Sequence, residues 1–149
     1  MSLASPVVPQ ESPPAMSSAS HPSPSAQLGA FANTVTQAGE VRPWGSYTVL
    51  KDEPHYKLKQ LVVSPQQRLS LQYHHHREEH WIVVAGLPTI TVGERTWQAS
   101  VGEVIFIPKT APHRLANETD CPVELIEVQL GDSFAETDIV RLQDDYHRG

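Results

Sequence analysis

The sequence predicts an all-β domain, a sandwich or closed barrel, preceded by a tail that stays outside its core. Three observations lead there. From Arg42 onward, short runs rich in Val, Ile, Leu, Tyr and Trp are punctuated by turn residues at intervals of roughly 8 to 12 residues, the spacing of stacked antiparallel strands. Helical periodicity is hard to find, except for one turn around Ala135 to Asp138, and this excludes a parallel α/β fold. Residues 1 to about 40 are dominated by Ser, Pro, Ala and Gln, with almost no charge and few large apolar side chains. Such a segment cannot bury enough surface to offset its chain entropy. It is expected to be a flexible tail with a short structured stretch near Leu28 to Val35, disorder or a linker being favoured over a docking role for the tail.

Taken in order, the expected strands are Ser46 to Lys51, Tyr56 to Ser64, Arg68 to His74, His80 to Ala85, Thr89 to Val92, Arg95 to Gln98, Val104 to Ile107, His113 to Asn117 and Val123 to Leu130. Each is rich in β-branched or aromatic residues, which suit a pleated, half-buried surface. Between them lie Asp52-Glu53-Pro54, Ser64-Pro65-Gln66-Gln67, Gly86-Leu87-Pro88, Gly93-Glu94 and Pro108 to Pro112, all with turn chemistry. The domain organisation is therefore a tail over residues 1–40 and one β domain over residues 41–149.

Bulk properties remove several classes of function. With 149 residues the chain is the size of one ordinary domain. A net charge of −6, from 11 Lys and Arg against 17 Asp and Glu, provides no broad basic surface for a nucleic-acid backbone. Cys121 is the single cysteine, so no intramolecular disulfide can form and a reducing compartment is expected. No apolar run approaches the roughly 20 residues that span a bilayer, and the N-terminus lacks the basic start and apolar stretch of a signal peptide. A soluble, cytoplasmic protein with no membrane partner is the expectation.

The chemistry concentrates in Ser70-Leu71-Gln72-Tyr73-His74-His75-His76, followed by Glu79. Strand alternation puts Gln72, His74 and His76 on one face. His113 opens another expected strand about forty residues later, and a closed β-barrel can make those two segments neighbours. A histidine triplet alone can be a solvated strand end; the added carboxylate and distant imidazole supply the mixed nitrogen and oxygen donors that a divalent ion takes.

On these residues the chain resembles the cupin superfamily of double-stranded β-helix (jelly-roll) barrels. Aligning the first cupin motif, G-x5-H-x-H-x(3,4)-E-x6-G, on Glu79 and Gly86 puts its two histidines on Gln72 and His74. The second motif, G-x5-P-x-G-x2-H-x3-N, is matched by Gly102, Pro108, His113 and Asn117. Gln66 and Thr110 stand where the motifs have glycine, which puts loop shape in question more than ligation. A narrower resemblance is to the C-terminal cupin domain of type II phosphomannose isomerases, which in many bacteria follows a mannose-1-phosphate guanylyltransferase domain. It is carried by Arg42-Pro43-Trp44-Gly45-Ser46-Tyr47, Leu69 to Trp81, His113-Arg114-Leu115-Ala116-Asn117, Ile126-Glu127-Val128-Gln129, Asp138 to Arg141 and Asp144-Asp145-Tyr146. The Gly-rich, basic start of the nucleotidyltransferase half is not found in this chain, so no guanylyltransferase activity is expected.

The resemblance implies one divalent metal ion held by Gln72, His74, Glu79 and His113. A Gln-x-His pair also occurs in the zinc-dependent type I phosphomannose isomerases, so zinc leads, although manganese, iron, cobalt or nickel accept the same donors. His76 is the alternative to Gln72 as a ligand, or a catalytic group, while His75 faces away and His80 is read as packing. The implied reaction is isomerisation of mannose 6-phosphate and fructose 6-phosphate, which needs a base near the C1–C2 protons and an electrophile for the oxygens. Glu127 is the first candidate base and His76 the second; Arg68, at a family-matched position, is carried as a catalytic cation. Lys57 and Lys59, two apart on one strand, together with Arg42 and Arg141, are the candidates to bind the sugar phosphate. Trp44 and Trp81 are read as filling the core or the barrel mouth. A homodimer is expected, because cupins commonly pair through their sheets. Two other readings compete: a non-catalytic sugar or nucleotide-sugar binding cupin with a regulatory or docking role, and an iron-dependent dioxygenase, which Gln72 in place of a histidine weakens.

Overall fold

A computed structural model describes residues 39–148. The expected tail, including the stretch from Leu28 to Val35, lies outside the described residues. Eleven strands make two antiparallel sheets. The six-stranded sheet has the order β1 (Glu40–Arg42), β2 (Gly45–Asp52), β3 (Tyr56–Val63), β10 (Val123–Gly131), β5 (Arg77–Ala85), β8 (Val104–Ile107). The five-stranded sheet has the order β11 (Ile139–Gln143), β4 (Leu71–His74), β9 (His113–Ala116), β6 (Thr89–Val92), β7 (Arg95–Gln98). Among the described residues no helix is long and apolar enough to cross a membrane.

Alternation accounts for which side chains face inward. In β10 the residues Val123, Leu125, Glu127 and Gln129 are buried, and Glu124, Ile126, Val128 and Leu130 lie on the outer face. One apolar cluster draws Leu61, Val63, Trp81, Val83 and Leu125 from the larger sheet and Ile90 and Leu115 from the smaller, with Trp44 beside them. At about 1.5–3 kcal/mol for each large apolar side chain buried, this cluster supplies the driving force for closure. Trp44 and Trp81 are core residues, as expected.

Both positions that depart from glycine keep the backbone that glycine would adopt: Gln66 has φ 60° and Thr110 has φ 66°. The loop shape survives, with non-glycine residues held in the left-handed region. Gly45, by contrast, is required, because a Cβ there would drive into the carbonyl oxygen of Val62.

Strand ends differ from expectation in informative places. β4 begins at Leu71, and Arg68 makes only an isolated bridge to Ala116. β5 begins at Arg77 rather than His80, because the charged pair Arg77 and Glu79 is buried within it. A 3-10 turn at Glu136–Asp138 occupies the one place where helical character was expected, and the unforeseen β11 follows it directly.

Candidate metal centre

Strand register brings the donors together. Gln72 of β4 pairs with His113 of β9, and in the other sheet Gln129 of β10 pairs with Glu79 of β5. His74, Glu79 and His113 each offer a ligand atom, all within 4.8 Å of one another, and all three residues are buried. His74 Nε2 lies 3.1 Å from Glu79 Oε1, and His113 Nε2 lies 3.7 Å from Glu79 Oε2. His113 Nδ1 sits 2.9 Å from the Ala111 carbonyl, which fixes the tautomer with the proton on Nδ1 and leaves the Nε2 lone pair free. That Nε2 is buried with no partner among the described residues, as is His74 Nδ1. Burial holds the His113 imidazole below its usual pKa, so it stays neutral, the form that ligates. An orphaned imidazole lone pair beside a buried carboxylate and a second imidazole is a donor set that fits a divalent cation.

Besides the two imidazoles, three buried side chains donate to the carboxylate of Glu79. Arg77 Nε donates to its Oε1 at 3.0 Å, and Arg77 Nη2 lies 3.3 Å from His74 Nε2. Trp81 Nε1 donates to Glu79 Oε2 and to Glu127 Oε2, both at 3.1 Å. Gln129 Nε2 donates to Glu127 Oε1 at 2.6 Å and to Glu79 Oε1 at 3.3 Å. Two donors thus clasp both carboxylates and hold Glu127 beside the donor cluster. Burial works to raise the pKa of Glu79, but the His74 hydrogen bond and the charge of Arg77 work against it and keep the carboxylate ionised. Burial and the neighbouring Glu79 charge push Glu127 up to about 8. Two interacting carboxyls with pKa values forced apart are a common signature of proton-transfer sites.

A cavity of about 510 Å³ opens over this group. Glu79, Glu127 and Gln129 line its deep, buried part, together with Gln72 and Ser70. Ser70 Oγ donates to Gln72 Oε1 at 2.7 Å, so the amide is oriented with its oxygen toward Ser70. Arg42, Lys59, Arg141 and Arg148 line the same cavity, with Tyr47 and Glu136. Lys59 Nζ stands 3.2 Å from Glu136 Oε1; desolvation alone would lower its pKa, but the charges of Glu127 and Glu136 raise it instead.

Of the residues singled out from sequence, the structure brings Gln72, Glu79, Glu127, Arg42, Lys59 and Arg141 to the lining of one cavity, with His74 and His113 against Glu79. Three fall elsewhere. His76 was placed by continued alternation, but β4 ends at His74, and the backbone N–H groups of His75 and His76 donate to the Asp138 carboxylate at 3.1 and 3.0 Å. That turn throws the His76 side chain outward, 57% exposed, beside Asp132. Arg68 is paired with Asp145 at 2.7 Å on the surface, away from the cavity. Lys57 is paired with Asp52 at 3.0 Å and does not line the cavity, although Lys59 two residues on does. His75 is exposed and His80 stacks against Phe106, as read from sequence. Arg77, Gln129 and Glu136 were not anticipated. One signal for the cavity was available: the inner face of β10 turns from Val123 and Leu125 to Glu127 and Gln129 while the outer positions beside them, Ile126, Val128 and Leu130, are apolar.

The chain is similar to known proteins over about 70% of its length. The family model described as "Mannose-6-phosphate isomerase C-terminal" matches residues 32–144. The alginate biosynthesis protein AlgA of Pseudomonas aeruginosa is 46% identical over 107 residues, covering 72% of this chain and 22% of that protein. The xanthan biosynthesis protein XanB of Xanthomonas campestris is 45% identical over 107 residues, covering 72% and 23%. Mannose-1-phosphate guanylyltransferase RfbM of Salmonella typhimurium is 42% identical over 112 residues, covering 74% and 23%. The chain thus spans less than a quarter of the length of these relatives. Among solved structures, the capsular polysaccharide assembling protein CapF of Staphylococcus aureus superposes with a TM-score of 0.63 at 22% identity, over 70% of this chain and 34% of that one. A cupin-2 domain from Rhodospirillum rubrum superposes with a TM-score of 0.54 at 17% identity, over 62% and 67%. Both likenesses concern the fold: the two sheets form a cupin barrel.

Proposed function

The chain belongs to the mannose-6-phosphate isomerase C-terminal family, and on that premise we propose that its cavity interconverts mannose 6-phosphate and fructose 6-phosphate with the aid of one divalent metal ion. The observation that carries the reading is the convergence of His74 and His113 on Glu79, which itself lines a cavity that Arg42, Lys59 and Arg141 also line. His74, Glu79 and His113 would hold the ion, with the Gln72 amide oxygen as fourth donor, and zinc is the proposed metal. When bound, it would supply a Lewis acid that polarises the sugar oxygens between which carbonyl character moves.

The rest falls to the protein's own groups. Glu127, held by Trp81 and Gln129, is the group proposed to carry the proton between C1 and C2 of the open-chain sugar by way of an enediol. Arg42, Lys59 and Arg141 are proposed to take the phosphate, which places the reacting carbons toward the buried carboxylates. Relatives named for alginate and xanthan biosynthesis support a role in polysaccharide biosynthesis. A coupled assay on purified, metal-replete protein tests the proposal. Turnover lost on chelation and restored by added metal is expected; no turnover with metal content verified sinks it.

One observation favours a second reading. The relatives are more than four times the length of the matched segment, and several carry a guanylyltransferase name. A domain in that setting could bind a sugar phosphate or nucleotide sugar as a regulatory or docking module. Calorimetric binding without turnover selects this alternative. For self-association we propose pairing through the outer face of the six-stranded sheet, where Ile82 and Val84 of β5 lie beside Val104 and Phe106 of β8, all exposed. At about 4.8 Å per strand and 3.3 Å per residue, that face measures roughly 600–700 Å². This is close to the roughly 800 Å² per partner of a standard interface.

A further inference from the structure

We propose that Glu136 is a resident competitor for the phosphate subsite: its carboxylate takes the place on Lys59 that a phosphoryl group must occupy, and so sets how strongly anionic a ligand must be to bind. The inference rests on the reading of the cavity as a sugar-phosphate site and adds to it the group that governs entry.

The geometry around Lys59 points to this. Lys59 Nζ lies 4.7 Å from the centre of the Tyr47 ring, and Arg42 Cζ lies 5.3 Å from the same centre, so one aromatic ring relates the two cations. Arg42 Nη2 also donates to Tyr47 Oη at 3.2 Å. Across the cavity, Arg141 Nε is buried with no partner among the described residues, although a buried guanidinium normally finds an acceptor. Three cationic groups on different strands therefore border one space. The carboxylate paired with Lys59 is Glu136, 3.2 Å from a Lys59 whose side chain is only 9% exposed, while Glu136 itself is 52% exposed; Glu127, opposite Lys59 on the next strand, is bonded to Trp81 and Gln129 instead.

That asymmetry matters. Glu79 and Glu127 are clasped in the buried part by Trp81 and Gln129, but Glu136 sits on the short 3-10 turn that joins β10 to β11, with solvent on one side. Swinging it out exposes no buried carboxylate and frees a desolvated ammonium. A phosphate dianion offers more charge and more acceptor oxygens than one carboxylate and can span Lys59 and Arg42 together. A neutral sugar cannot replace Glu136, so the cavity should discriminate against unphosphorylated sugars beyond the loss of the phosphate contacts themselves.

The test is calorimetric titration of inorganic phosphate into the full chain, wild type and Glu136→Gln, with circular dichroism to verify folding. The expected result is phosphate binding about three- to fivefold tighter in Glu136→Gln, the size of a part-exposed ion pair removed from competition. Arg42→Gln, at a part-exposed position that folding should tolerate, is expected to weaken phosphate binding in both backgrounds; Lys59→Met is expected to do the same and to silence the effect of Glu136→Gln. Unchanged or weaker binding in Glu136→Gln, with Arg42→Gln still weakening it, overturns the competitor role and leaves the sugar-phosphate reading standing. Phosphate binding indifferent to Arg42→Gln and Lys59→Met, or absent from both wild type and Glu136→Gln, overturns the subsite and the competitor with it.

Discussion

Replacing Thr110 by glycine should stabilise the protein, which is unusual for a substitution beside a candidate metal centre. Thr110 has φ 66°, is exposed, and its N–H donates to the His74 carbonyl at 2.7 Å, so the left-handed turn anchors the end of β4. For an L-residue that conformation costs roughly 1–2 kcal/mol, and a β-branched side chain belongs at the upper end. Glycine removes the cost but gives the unfolded chain more freedom, worth about 0.4–1 kcal/mol in the opposite direction. The balance is a gain near 1 kcal/mol, or about 4 °C in Tm for a folded domain of this size. Gln66 supplies the control. It has φ 60°, but its amide donates to the carbonyls of Glu118 and Thr119, both at 3.2 Å, and to Asp120 at 3.3 Å. Gln66→Gly relieves the same strain and loses those bonds, so its net effect should lie near zero. Urea denaturation of the two variants measures both. A Thr110→Gly protein less stable than wild type by more than about 0.5 kcal/mol would refute the argument, since no packing is lost at an exposed side chain.

His113→Ala should abolish high-affinity metal binding, measured as metal retained after dialysis, while the fold persists by circular dichroism. Arg77→Met leaves the Glu79 carboxylate buried without its cation and should cost about 3–5 kcal/mol in metal-free protein, a loss that bound metal partly restores; equal losses with and without metal would contradict it. Asp138→Asn removes the charged acceptor of the His75 and His76 N–H groups and should destabilise by about 1.5–3 kcal/mol at neutral pH. Its sign with pH follows from the cause: burial works to raise the Asp138 pKa, but those N–H groups lower it, so the stabilisation is present above the unfolded-state pKa and is lost as pH falls through the depressed folded value. The gap between wild type and Asp138→Asn should therefore close in strong acid. Phe106→Glu should leave the protein monomeric in light scattering if the outer sheet face pairs two copies; an unchanged mass would remove that interface.

The strand set was legible because β propensity and turn chemistry agree along residues 42–130, and the cluster of His74, Glu79 and His113 because the spacing of these residues matched a motif. What could not be read was where alternation stops. His76 was assigned to the face of Gln72 and His74 by counting in twos, but the count ends with the last ladder residue, and a carboxylate from residue 138 sets that end. Lys57 shows the converse: it shares its strand with Lys59, yet a nearby Asp52 takes its charge. Arg77 and Gln129 were invisible for a simpler reason. Buried polar side chains are recognised by their partners, and these two reach across strands, Arg77 to His74 of β4 and Gln129 to Glu79 of β5.

The two buried carboxylates whose donors are neighbouring side chains lie deep in the cavity, and the buried cations Arg77 and Lys59 are paired with Glu79 and Glu136. The remaining cations sit at its part-exposed edge, an arrangement that implies a direction of binding. Glu79 and Glu127 are almost fully buried and share donors, whereas Arg42 and Arg148 are part-exposed, with their own partners Glu40 and Asp144 beside them. A ligand with a dianion at one end and hydroxyls at the other meets opposite fields at the two ends and has one favourable orientation. Reversed, it would bring a phosphate against two buried carboxyls, an arrangement that a low-dielectric site penalises by several kcal/mol. Orientation is therefore settled before any group in the deep part acts. Reversing one charge at the mouth, Arg42→Glu, should weaken the binding of a sugar phosphate far more than that of the parent sugar, and equal weakening of both would show that the field does not orient the ligand.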